Sequence, residues 1–392
     1  MDFETVKENA ENFEAAVYNR FELGIKCGKG ATLLDFSGKE YIDFSSGIGV
    51  NIFGIADEGW IAAVTAQLKL IQHTCNLYYN EPASALVKLL CEKSGFKRAF
   101  LCNSGAEANE CAIKVARKYW HDRHGEGKAE IITLKDSFHG RTVTTLSATG
   151  QGGMHKHFMP FTEGFLYAAP NDIDDLKSKI SAATAAVMIE AVQGEGGVNA
   201  LDKNYVQKIA ELCGERDILL ICDEIQCGNG RTGRLFGYMN FEVKPDIVTT
   251  AKGLGGGLPI GAALFNEKTE KVLGKGDHGS TFGGNPIAAA GAVEILSRLN
   301  DELLSEVIKK SDYMVSKLKK LDEIASVHGM GLMLGASLKT KKARDVAAEC
   351  ITEGLVVLTA KEKLRFLPPL NISYEEIDLG LEILSKVLSK QQ

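Results

Sequence analysis

Four features are missing from the sequence, and each absence excludes a class of protein. No apolar run is long enough to span a bilayer, and the first twenty residues lack the basic-then-apolar plan of a signal peptide. Positive charge is not in excess: 45 Lys and Arg face 51 Asp and Glu, a formal net charge of −6, whereas nucleic-acid-binding proteins need a basic face. The nine cysteines form no CxxC pair of the metal-binding kind. We therefore expect a cytoplasmic protein with buried, reduced thiols and no membrane, nucleic-acid or metal partner.

From about residue 60 onward, short apolar runs alternate with longer segments. In several of these segments, such as "NECAIKVARKYW" and "NYVQKIAELCGE", the apolar residues recur at the spacing of a helix. Such alternation favours an α/β fold with a mostly parallel sheet covered by helices. The runs predicted as strands are 99–102, 131–134, 186–190, 219–222 and 247–250.

The two ends of the chain follow other patterns. An acidic, helix-like stretch opens the sequence, and "ATLLDFSGKEYIDFSSG" predicts two strands joined by a turn. Beyond residue 285, amphipathic helices and short strands predict a smaller α+β unit. We predict an N-terminal segment (1–59, helix and hairpin) packing with the small domain, a large α/β domain (60–285) and a small α+β domain (286–392).

Polar or small residues follow each of the five predicted strands. These clusters are "NSGAEANE", "KDSFHGRT", "AVQGEGG", "DEIQCGNGRTG" and "AKGLGGG". In open α/β sheets, ligands bind outside the carboxyl ends of the strands. Five such clusters therefore predict one shared crevice.

The cluster "NSGAEANE" opens a predicted helix. Ser104 and Glu107 fit a capping box, and Gly105 permits a close backbone approach. The pattern is compatible with a well-capped helix alone, or with a phosphate held by backbone N–H groups at the helix start.

Asp223 and Lys252 each end a predicted apolar strand. Asp223 could be a helix cap or turn former, or a buried carboxylate paired with a protonated ring nitrogen. Lys252 could be a surface lysine, or a partly desolvated amine able to form a Schiff base. A dinucleotide site fits less well, because the glycine-rich loop after Lys252 leads into "LPIGAAL", which predicts a strand rather than a helix.

Taken together, these motifs resemble the class III aminotransferases, fold-type I enzymes that use pyridoxal 5′-phosphate. The resemblance covers nearly the whole chain, and "NLYYNEPASALV" and "LRFLPPL" narrow it to members acting on N2-acetylornithine. The motifs that carry it are "NSGAEANECAIKVAR", "SFHGRT", "QGEGG", "DEIQCGNGRTG", "AKGLGGGLPIGA" and "STFGGNP".

The resemblance implies how the cofactor is held. Lys252 and Asp223 would be the catalytic residues, Lys252 as Schiff-base amine and general base and Asp223 as the partner of the pyridine nitrogen. Gly105 and Ala106 would bind the phosphate, Phe138 would stack on the ring, and Gln226 would lie near the phenolic oxygen. Thr281 would reach the phosphate of the neighbouring subunit's cofactor, which implies a homodimer with shared active sites.

The resemblance also implies the reaction. The δ-amino group of N2-acetylornithine would pass to 2-oxoglutarate, giving N-acetylglutamate 5-semialdehyde and glutamate in arginine biosynthesis, with succinyl-diaminopimelate as a second substrate. Arg141 would bind the α-carboxylate of acetylornithine, and Ser280 would lie near the amine substrate. Arg365 would bind the α-carboxylate of glutamate, and Glu195 would pair with Arg365 when glutamate is absent. Arg141 and Arg365 could also be ordinary surface arginines.

One segment departs from the family pattern, and three other functions remain open. "FGIADEGW" stands where the family has Gly-His followed shortly by His-Pro, which leaves open how the acyl end is held. The nearest alternative is an ornithine or other ω-amino acid aminotransferase. A pyridoxal-phosphate aminomutase is disfavoured by the Glu195 and Arg365 combination, and a nucleotide-binding or regulatory module leaves Lys252 and Asp223 without a role.

Overall fold

The computed structural model describes residues 1–390, and the N-terminal segment forms a helix followed by a three-stranded meander. The predicted pair of strands is present: β2 and β3 pair antiparallel. The predicted N-terminal helix is present but ends at Phe13, so the stretch from Glu14 to Gly24 lies outside it. The elements are α1 (Phe3–Phe13), β1 (Ile25–Lys29), β2 (Thr32–Asp35), β3 (Glu40–Asp43) and the single turn α2 (Ser46–Gly49).

The central part of the chain contains all five predicted strands and builds a seven-stranded sheet. Its elements are α3 (Glu58–Leu68), α4 (Glu81–Ser94), β4 (Arg98–Cys102), α5 (Gly105–His124), β5 (Glu130–Leu134), α6 (Val143–Ala148), β6 (Phe165–Ala168), α7 (Ile173–Lys179), β7 (Thr184–Glu190), β8 (Val192–Gln193), β9 (Asn199–Ala200), α8 (Lys203–Glu215), β10 (Leu219–Asp223), β11 (Ile247–Thr250) and β12 (Gly261–Phe265).

The strand order of this sheet is β4-β12-β11-β10-β7-β5-β6. The strands from β11 to β6 pair parallel, and β12 pairs antiparallel with both β11 and β4. β4 therefore runs in the same direction as β11. As a result β4, β5, β7, β10 and β11 all end at the same edge of the sheet.

The centre of this sheet is covered on both faces. Every residue of β7, β10, β11 and β12 is buried, with α5 packed against β11 and β12 and α8 against β10. Burial on both faces explains why these strands are continuous apolar runs instead of alternating ones. Six of the nine cysteines are buried free thiols as expected, including Cys102 and Cys222, which end two of the runs. The expectation is wrong for Cys27, which is exposed, and holds only in part for Cys75 and Cys91, which are partly exposed.

The C-terminal part forms a second, antiparallel sheet in the order β13-β14-β17-β16. β15 leaves this sheet and pairs parallel with β3, so the two ends of the chain share a sheet. The predicted domain bounds stay a prediction, and α9, just beyond residue 285, packs against α3 and α4. The elements are α9 (Pro286–Arg298), α10 (Asp301–Leu318), β13 (Ile324–Met330), β14 (Met333–Leu338), α11 (Ala343–Glu353), β15 (Leu355–Val356), β16 (Leu358–Ala360), β17 (Lys363–Phe366) and α12 (Tyr374–Ser389).

Across residues 1–390, no helix is both long enough and apolar enough to span a membrane.

Candidate active site

A cavity of about 440 Å³ lies at the edge where the parallel strands end. Loops after four of the five predicted strands contribute to it, and β7 contributes its last residue, Glu190. The predicted convergence on one crevice is therefore confirmed for four clusters, while "AVQGEGG" lies outside the cavity lining. The lining residues are Val50, Asn103, Ser104, Gly105, Ala106, Phe138, His139, Gly140, Arg141, Glu190, Asp223, Ile225, Gln226, Ala251, Lys252, Gly257, Leu258, Pro259 and Ile260.

The first turn of α5 forms one wall of the cavity. Ser104 caps the helix by accepting a hydrogen bond from the Glu107 N–H at 3.2 Å. The predicted capping box is wrong in its second half, because the Glu107 carboxylate accepts from the Asn103 backbone N at 2.6 Å instead of from Ser104. A Cβ at Gly105 would lie 2.7 Å from the Ile225 side chain. This turn thus offers backbone N–H groups behind a wall too tight for a side chain, which suits a phosphate.

Asp223 is held by a buried hydrogen-bond network. Its side chain is 3% exposed, and its Oδ2 accepts from Asn109 Nδ2 and lies against His139 Nδ1, both at 2.8 Å. Asn109 is fixed in turn by Thr249 Oγ1, which donates to Asn109 Oδ1 at 2.7 Å. Oδ1 of Asp223 accepts from the Ile225 N–H at 3.0 Å. The carboxylate is therefore oriented before any ligand binds.

His139 is a neighbour of Asp223 that the sequence reasoning did not use, although it lies within "SFHGRT". Its side chain is fully buried. Burial lowers the pKa of the imidazole, but the hydrogen bond and charge of Asp223 outweigh burial, and the pKa is raised overall. The Asp223 carboxylate thus favours the protonated form of the imidazole next to it in the cavity wall.

Lys252 follows β11 and lies half-buried in the cavity wall. Its backbone φ is +46°, a left-handed conformation that costs a non-glycine residue about 1–2 kcal/mol. Burial lowers the pKa of its amine, and the charges of Glu195 and Asp223 offset only part of this effect. A lowered pKa increases the fraction of the amine that is neutral, and hence able to act as nucleophile or base, near neutral pH.

The glycine-rich loop after Lys252 makes a tight turn into β12. Gly256 and Gly257 have φ values of +59° and +134°, and a Cβ at Gly255 would lie 2.0 Å from the Leu258 carbonyl oxygen. The loop enters a strand, which agrees with the expectation that it is no dinucleotide fingerprint. Trp60 Nε1 donates to the Gly255 carbonyl at 3.0 Å.

The departing segment "FGIADEGW" therefore packs behind the lysine loop. Asp57 caps α3 by accepting from the Trp60 N–H at 2.9 Å. The Asp57 carboxylate also receives two hydrogen bonds from Arg298, at 2.5 and 3.0 Å. In this chain, then, the segment braces the loop that carries Lys252.

Arg365 and Glu195 form an ion pair beside the cavity. Arg365 lies on β17 and is 3% exposed; its Nη1 donates to Glu195 Oε1 and, at 3.3 Å, to Gln226 Oε1. Burial raises the pKa of Glu195, but the charge of Arg365 outweighs burial and the pKa is lowered overall. Among the described residues, Arg365 Nε has no hydrogen-bond partner. The surface-arginine alternative is wrong for Arg365.

Of the three other residues predicted for substrate or cofactor, Arg141 lines the cavity and Ser280 contacts a lining residue, Asn103. Arg141 is exposed and lines the cavity, with its guanidinium carbon 5.6 Å from the centre of the Phe138 ring. Ser280 Oγ accepts from Asn103 Nδ2 at 3.1 Å. Thr281 is exposed and lies outside the cavity lining that one chain provides.

Two further acids were missed. Glu190 ends β7 as Asp223 ends β10, and it lines the cavity. Glu224 is buried behind it and accepts from the N–H groups of Gly237 and Tyr238 at 2.6 and 2.7 Å. The position of Glu190 at the end of an apolar run was the signal that could have identified it.

The donor set fits pyridoxal 5′-phosphate. A phosphate group suits the first turn of α5, a protonated ring nitrogen suits the oriented carboxylate of Asp223, and an aldehyde suits the Lys252 amine. Phe138, half-buried in the cavity wall, provides an aromatic face.

Comparisons with known proteins agree with this chemistry. An acetylornithine aminotransferase from Haemophilus ducreyi is 49% identical over 392 residues, all of both chains. A succinylornithine transaminase from Salmonella paratyphi A is 43% identical, covering 97% of this chain and 96% of its own length. A solved ornithine aminotransferase from Toxoplasma gondii, with partial occupancy of PLP at its active site, superposes with a TM-score of 0.94 at 32% identity, covering 98% of this chain and 94% of that one.

The family profile extends these pairwise similarities to the whole fold. The profile described as "Aminotransferase class-III" matches residues 13–388. The protein is thus a member of the class III aminotransferases, fold-type I enzymes that depend on pyridoxal 5′-phosphate.

Proposed function

We propose that this enzyme transfers the δ-amino group of N2-acetylornithine to 2-oxoglutarate. The products are N-acetylglutamate 5-semialdehyde and glutamate, which places the reaction in arginine biosynthesis. The names of the relatives at 43–49% identity support an N2-acylated ornithine as the amino donor. The observation that carries the proposal is the pairing of Arg365 with Glu195 next to the cavity that contains Lys252.

Each residue assigned to the cofactor would contact a different part of it. The N–H groups of Gly105 and Ala106 would bind the phosphate, and Phe138 would stack on the ring. Asp223 would pair with the ring nitrogen and keep it protonated, and Gln226 would bind the phenolic oxygen. When bound, the cofactor supplies an aldehyde that accepts the amino group and a protonated ring that withdraws electrons from the reacting carbon.

Lys252 has two tasks in this proposal. Its amine would attach the resting cofactor, and after displacement by the substrate amine it would act as general base at the carbon that loses its proton. Burial favours the neutral form that both tasks need, because it lowers the pKa of the amine. Lys252 would then return the proton, so that a single amine serves both directions.

Arg365 and Glu195 would let one cavity accept two substrates. Glutamate carries its α-carboxylate next to the amine that reacts, and the planar fork of Arg365 suits a bidentate contact with it. Acetylornithine has no carboxylate at that point, and a buried arginine without a partner is costly. Glu195 neutralises Arg365 in that half of the reaction, while Arg141 at the mouth would bind the distant α-carboxylate of the acylated substrate.

We also propose a cytoplasmic homodimer with shared active sites. Thr281 and its neighbour Phe282 are exposed near the cavity mouth, and the Phe282 ring lies 5.1 Å from His73. Tyr78 and Tyr79, from the motif "NLYYNEP", are also exposed. Light scattering would give the mass, and mixing Lys252→Ala with Thr281→Ala subunits should restore activity in one of the two hybrid sites.

The half-reaction tests the substrate assignment. The visible absorption of the purified enzyme would be followed after addition of N2-acetylornithine, ornithine or glutamate, without any oxo acid. We expect rapid conversion by acetylornithine and glutamate and far slower conversion by ornithine. Equal rates with ornithine would instead favour an ornithine aminotransferase, the activity named for the Toxoplasma neighbour. Succinyl-diaminopimelate, the second predicted substrate, would be tested in the same way.

A further inference from the structure

Glu190 is a buried acid that lines the cavity and has no part in the proposed function. It is the last residue of β7, it is 5% exposed, and its Cα pairs with that of Asp223 on β10. Paired residues on neighbouring strands direct their side chains to the same face of the sheet. Two carboxyl groups therefore lie side by side beneath the position assigned to the cofactor ring.

The backbone of Phe138 is the hydrogen-bond partner of Glu190. The Phe138 N–H donates to Glu190 Oε1 at 2.9 Å, and the next residue, His139, contacts Asp223 at 2.8 Å. Glu190 thus fixes one side of a short segment whose other side fixes Asp223. The same segment presents the Phe138 ring to the cavity.

Several charged or titratable groups face Glu190. They are His139 from the loop after β5, Asp223 from β10, Lys252 from the loop after β11, and the buried Cys227 thiol. Burial raises the pKa of Glu190, and the charges of His139 and Lys252 oppose it; the result is a pKa of about 7. Two ionised carboxylates in adjacent positions would also repel each other.

We propose that Glu190 is a positioning residue of the cofactor site that acts in its protonated form. The protonated acid holds the backbone of Phe138 and leaves Asp223 as the anion that faces the ring nitrogen. At alkaline pH Glu190 loses its proton and adds a second negative charge beneath the ring. This inference rests on the proposed function for the placement of the cofactor.

Glu224 provides a matched control. It is also a buried glutamate in the same part of the sheet, and burial raises its pKa to about 8. Its carboxylate is directed at the backbone of Gly237 and Tyr238 and does not line the cavity. Glu224→Gln therefore reproduces the change in charge without changing the cavity wall.

The first experiment uses the apoprotein, so that it does not depend on activity. An acid whose pKa is raised by folding stabilises the fold below its unfolded pKa, and this stability is lost as the pH rises through the folded value. Thermal unfolding from pH 5 to 9 should therefore show a smaller decline in Tm for Glu190→Gln than for the wild type. An unchanged decline would mean that Glu190 is already ionised, and would overturn the proposal.

The second experiment follows the visible absorption of the bound cofactor against pH. Glu190→Gln keeps the acceptor for the Phe138 N–H but cannot become an anion. Because a nearby anion favours the protonated forms of the groups around it, the midpoint of the absorption change should fall by about half a pH unit in Glu190→Gln. It should stay at the wild-type value in Glu224→Gln; equal shifts in both variants would overturn the proposal.

Affinity for pyridoxal 5′-phosphate separates positioning from general stability. Glu190→Gln should bind the cofactor within about twofold of wild type, whereas Glu190→Ala, which leaves the Phe138 N–H unpartnered, should bind about tenfold more weakly. Equal affinity of Gln and Ala variants would overturn the positioning role. A wild-type protein without a visible band would overturn the proposed function instead, and the apoprotein experiment would still decide whether Glu190 is protonated.

Discussion

The cofactor end and the substrate end of the proposed active site hold their charged groups in different ways; Asp223 lines the cavity, and Arg365 lies beside it. At the cofactor end, Asp223 is fixed by hydrogen bonds from Asn109 and Ile225 and by contact with His139. At the substrate end, Arg365 depends on one carboxylate, Glu195, whose side chain is 29% exposed.

The difference between the two ends corresponds to the number of partners each must accept. The carboxylate at the cofactor end has one task throughout the reaction, so the network around it can be rigid. In the proposed mechanism, the arginine at the substrate end would exchange a protein carboxylate for a substrate carboxylate, which a single ion pair permits. We infer that one active site contains a rigidly held carboxylate at its cofactor end and an arginine with an exchangeable partner at its substrate end.

Lys252→Ala should slow the half-reactions with both substrates equally, because each half-reaction would need this amine whichever end binds the substrate. We expect both rates to fall together, on the order of 10⁴-fold. Steady-state and single half-reaction rates would measure this. Lys97→Ala, at an exposed lysine 3.0 Å from Glu267, is the control and should stay near wild type. Retention of more than a tenth of the activity would contradict the role of Lys252.

Asp223→Asn should disrupt the function of the cofactor end, where the side chain is rigidly held. The amide keeps the shape of the side chain but loses the charge that keeps the ring nitrogen protonated, so both half-reactions should fall by about 10³-fold. Stopped-flow absorption would measure each half-reaction separately. A loss confined to one substrate would show that the cofactor end also discriminates between substrates.

Glu195→Gln should affect one half-reaction and spare the other. With acetylornithine bound, Arg365 would keep an unpaired charge, and kcat/KM for this substrate should fall by about tenfold. With glutamate, the substrate carboxylate replaces Glu195, and kcat/KM should stay within about twofold of wild type. Asp136→Asn, which removes an exposed partner of Lys361, is the control. Parallel losses for both substrates would contradict the exchange.

The charged groups at the two ends should also lose their contributions to the stability of the fold in opposite directions of pH. The pKa of His139 is raised by folding, so its contribution to stability is present below the ordinary imidazole value of 6.5 and is lost as the pH rises. The pKa of Glu195 is lowered, so its contribution is present above 4.5 and is lost as pH falls.

Variants of the apoprotein would show this contrast. In Tm measurements against pH, His139→Gln should reduce the alkaline decline and Glu195→Gln the acid decline. Effects of both variants on the same side of neutrality would show that the two ends do not differ in this respect.

The smallest effect is expected at the brace behind the lysine loop. Trp60→Phe removes the hydrogen bond to the Gly255 carbonyl, worth about 1 kcal/mol, and should weaken cofactor binding by about fivefold. Trp120 also donates its indole N–H to a backbone carbonyl, that of Ala182 at 3.1 Å, but far from the cavity. Trp120→Phe should therefore leave cofactor affinity unchanged, and equal losses in both variants would contradict a local role.

Much of the central sheet could be predicted because strands buried on both faces are continuous apolar runs. Besides the two-residue strands β8 and β9, the missed strands are β1, β6 and β13, and all three lie at the edges of their sheets. β1 and β13 are largely exposed or only partly buried, and their sequences, "IKCGK" and "IASVHGM", lack that pattern. The sequence of β6, "FLYA", is a short apolar run that was overlooked. Edge strands need less apolar surface, and short windows therefore do not reveal them.

The candidate site was predictable to the extent that it follows strand ends. Lys252 and Asp223 were identified in this way, and their roles remain proposals. The contact between His139 and Asp223 could not be predicted, because it depends on the order of strands in the sheet. The same holds for the neighbourhood of Glu190 and Asp223, which is set by the register of β7 and β10.

The contacts between distant parts of the chain have a consequence for how the candidate site can fail. The Phe44 carbonyl accepts from the Leu367 N–H at 2.7 Å, and Asn371 Nδ2 donates to the Phe53 carbonyl across 318 residues of sequence. The strand that carries Arg365 is thus held by residues far from it in the sequence, whereas Asp223 and Lys252 lie at or just after strand ends of one sheet. In the proposed mechanism, loosening of these long-range contacts would therefore impair substrate selection before it impairs cofactor binding.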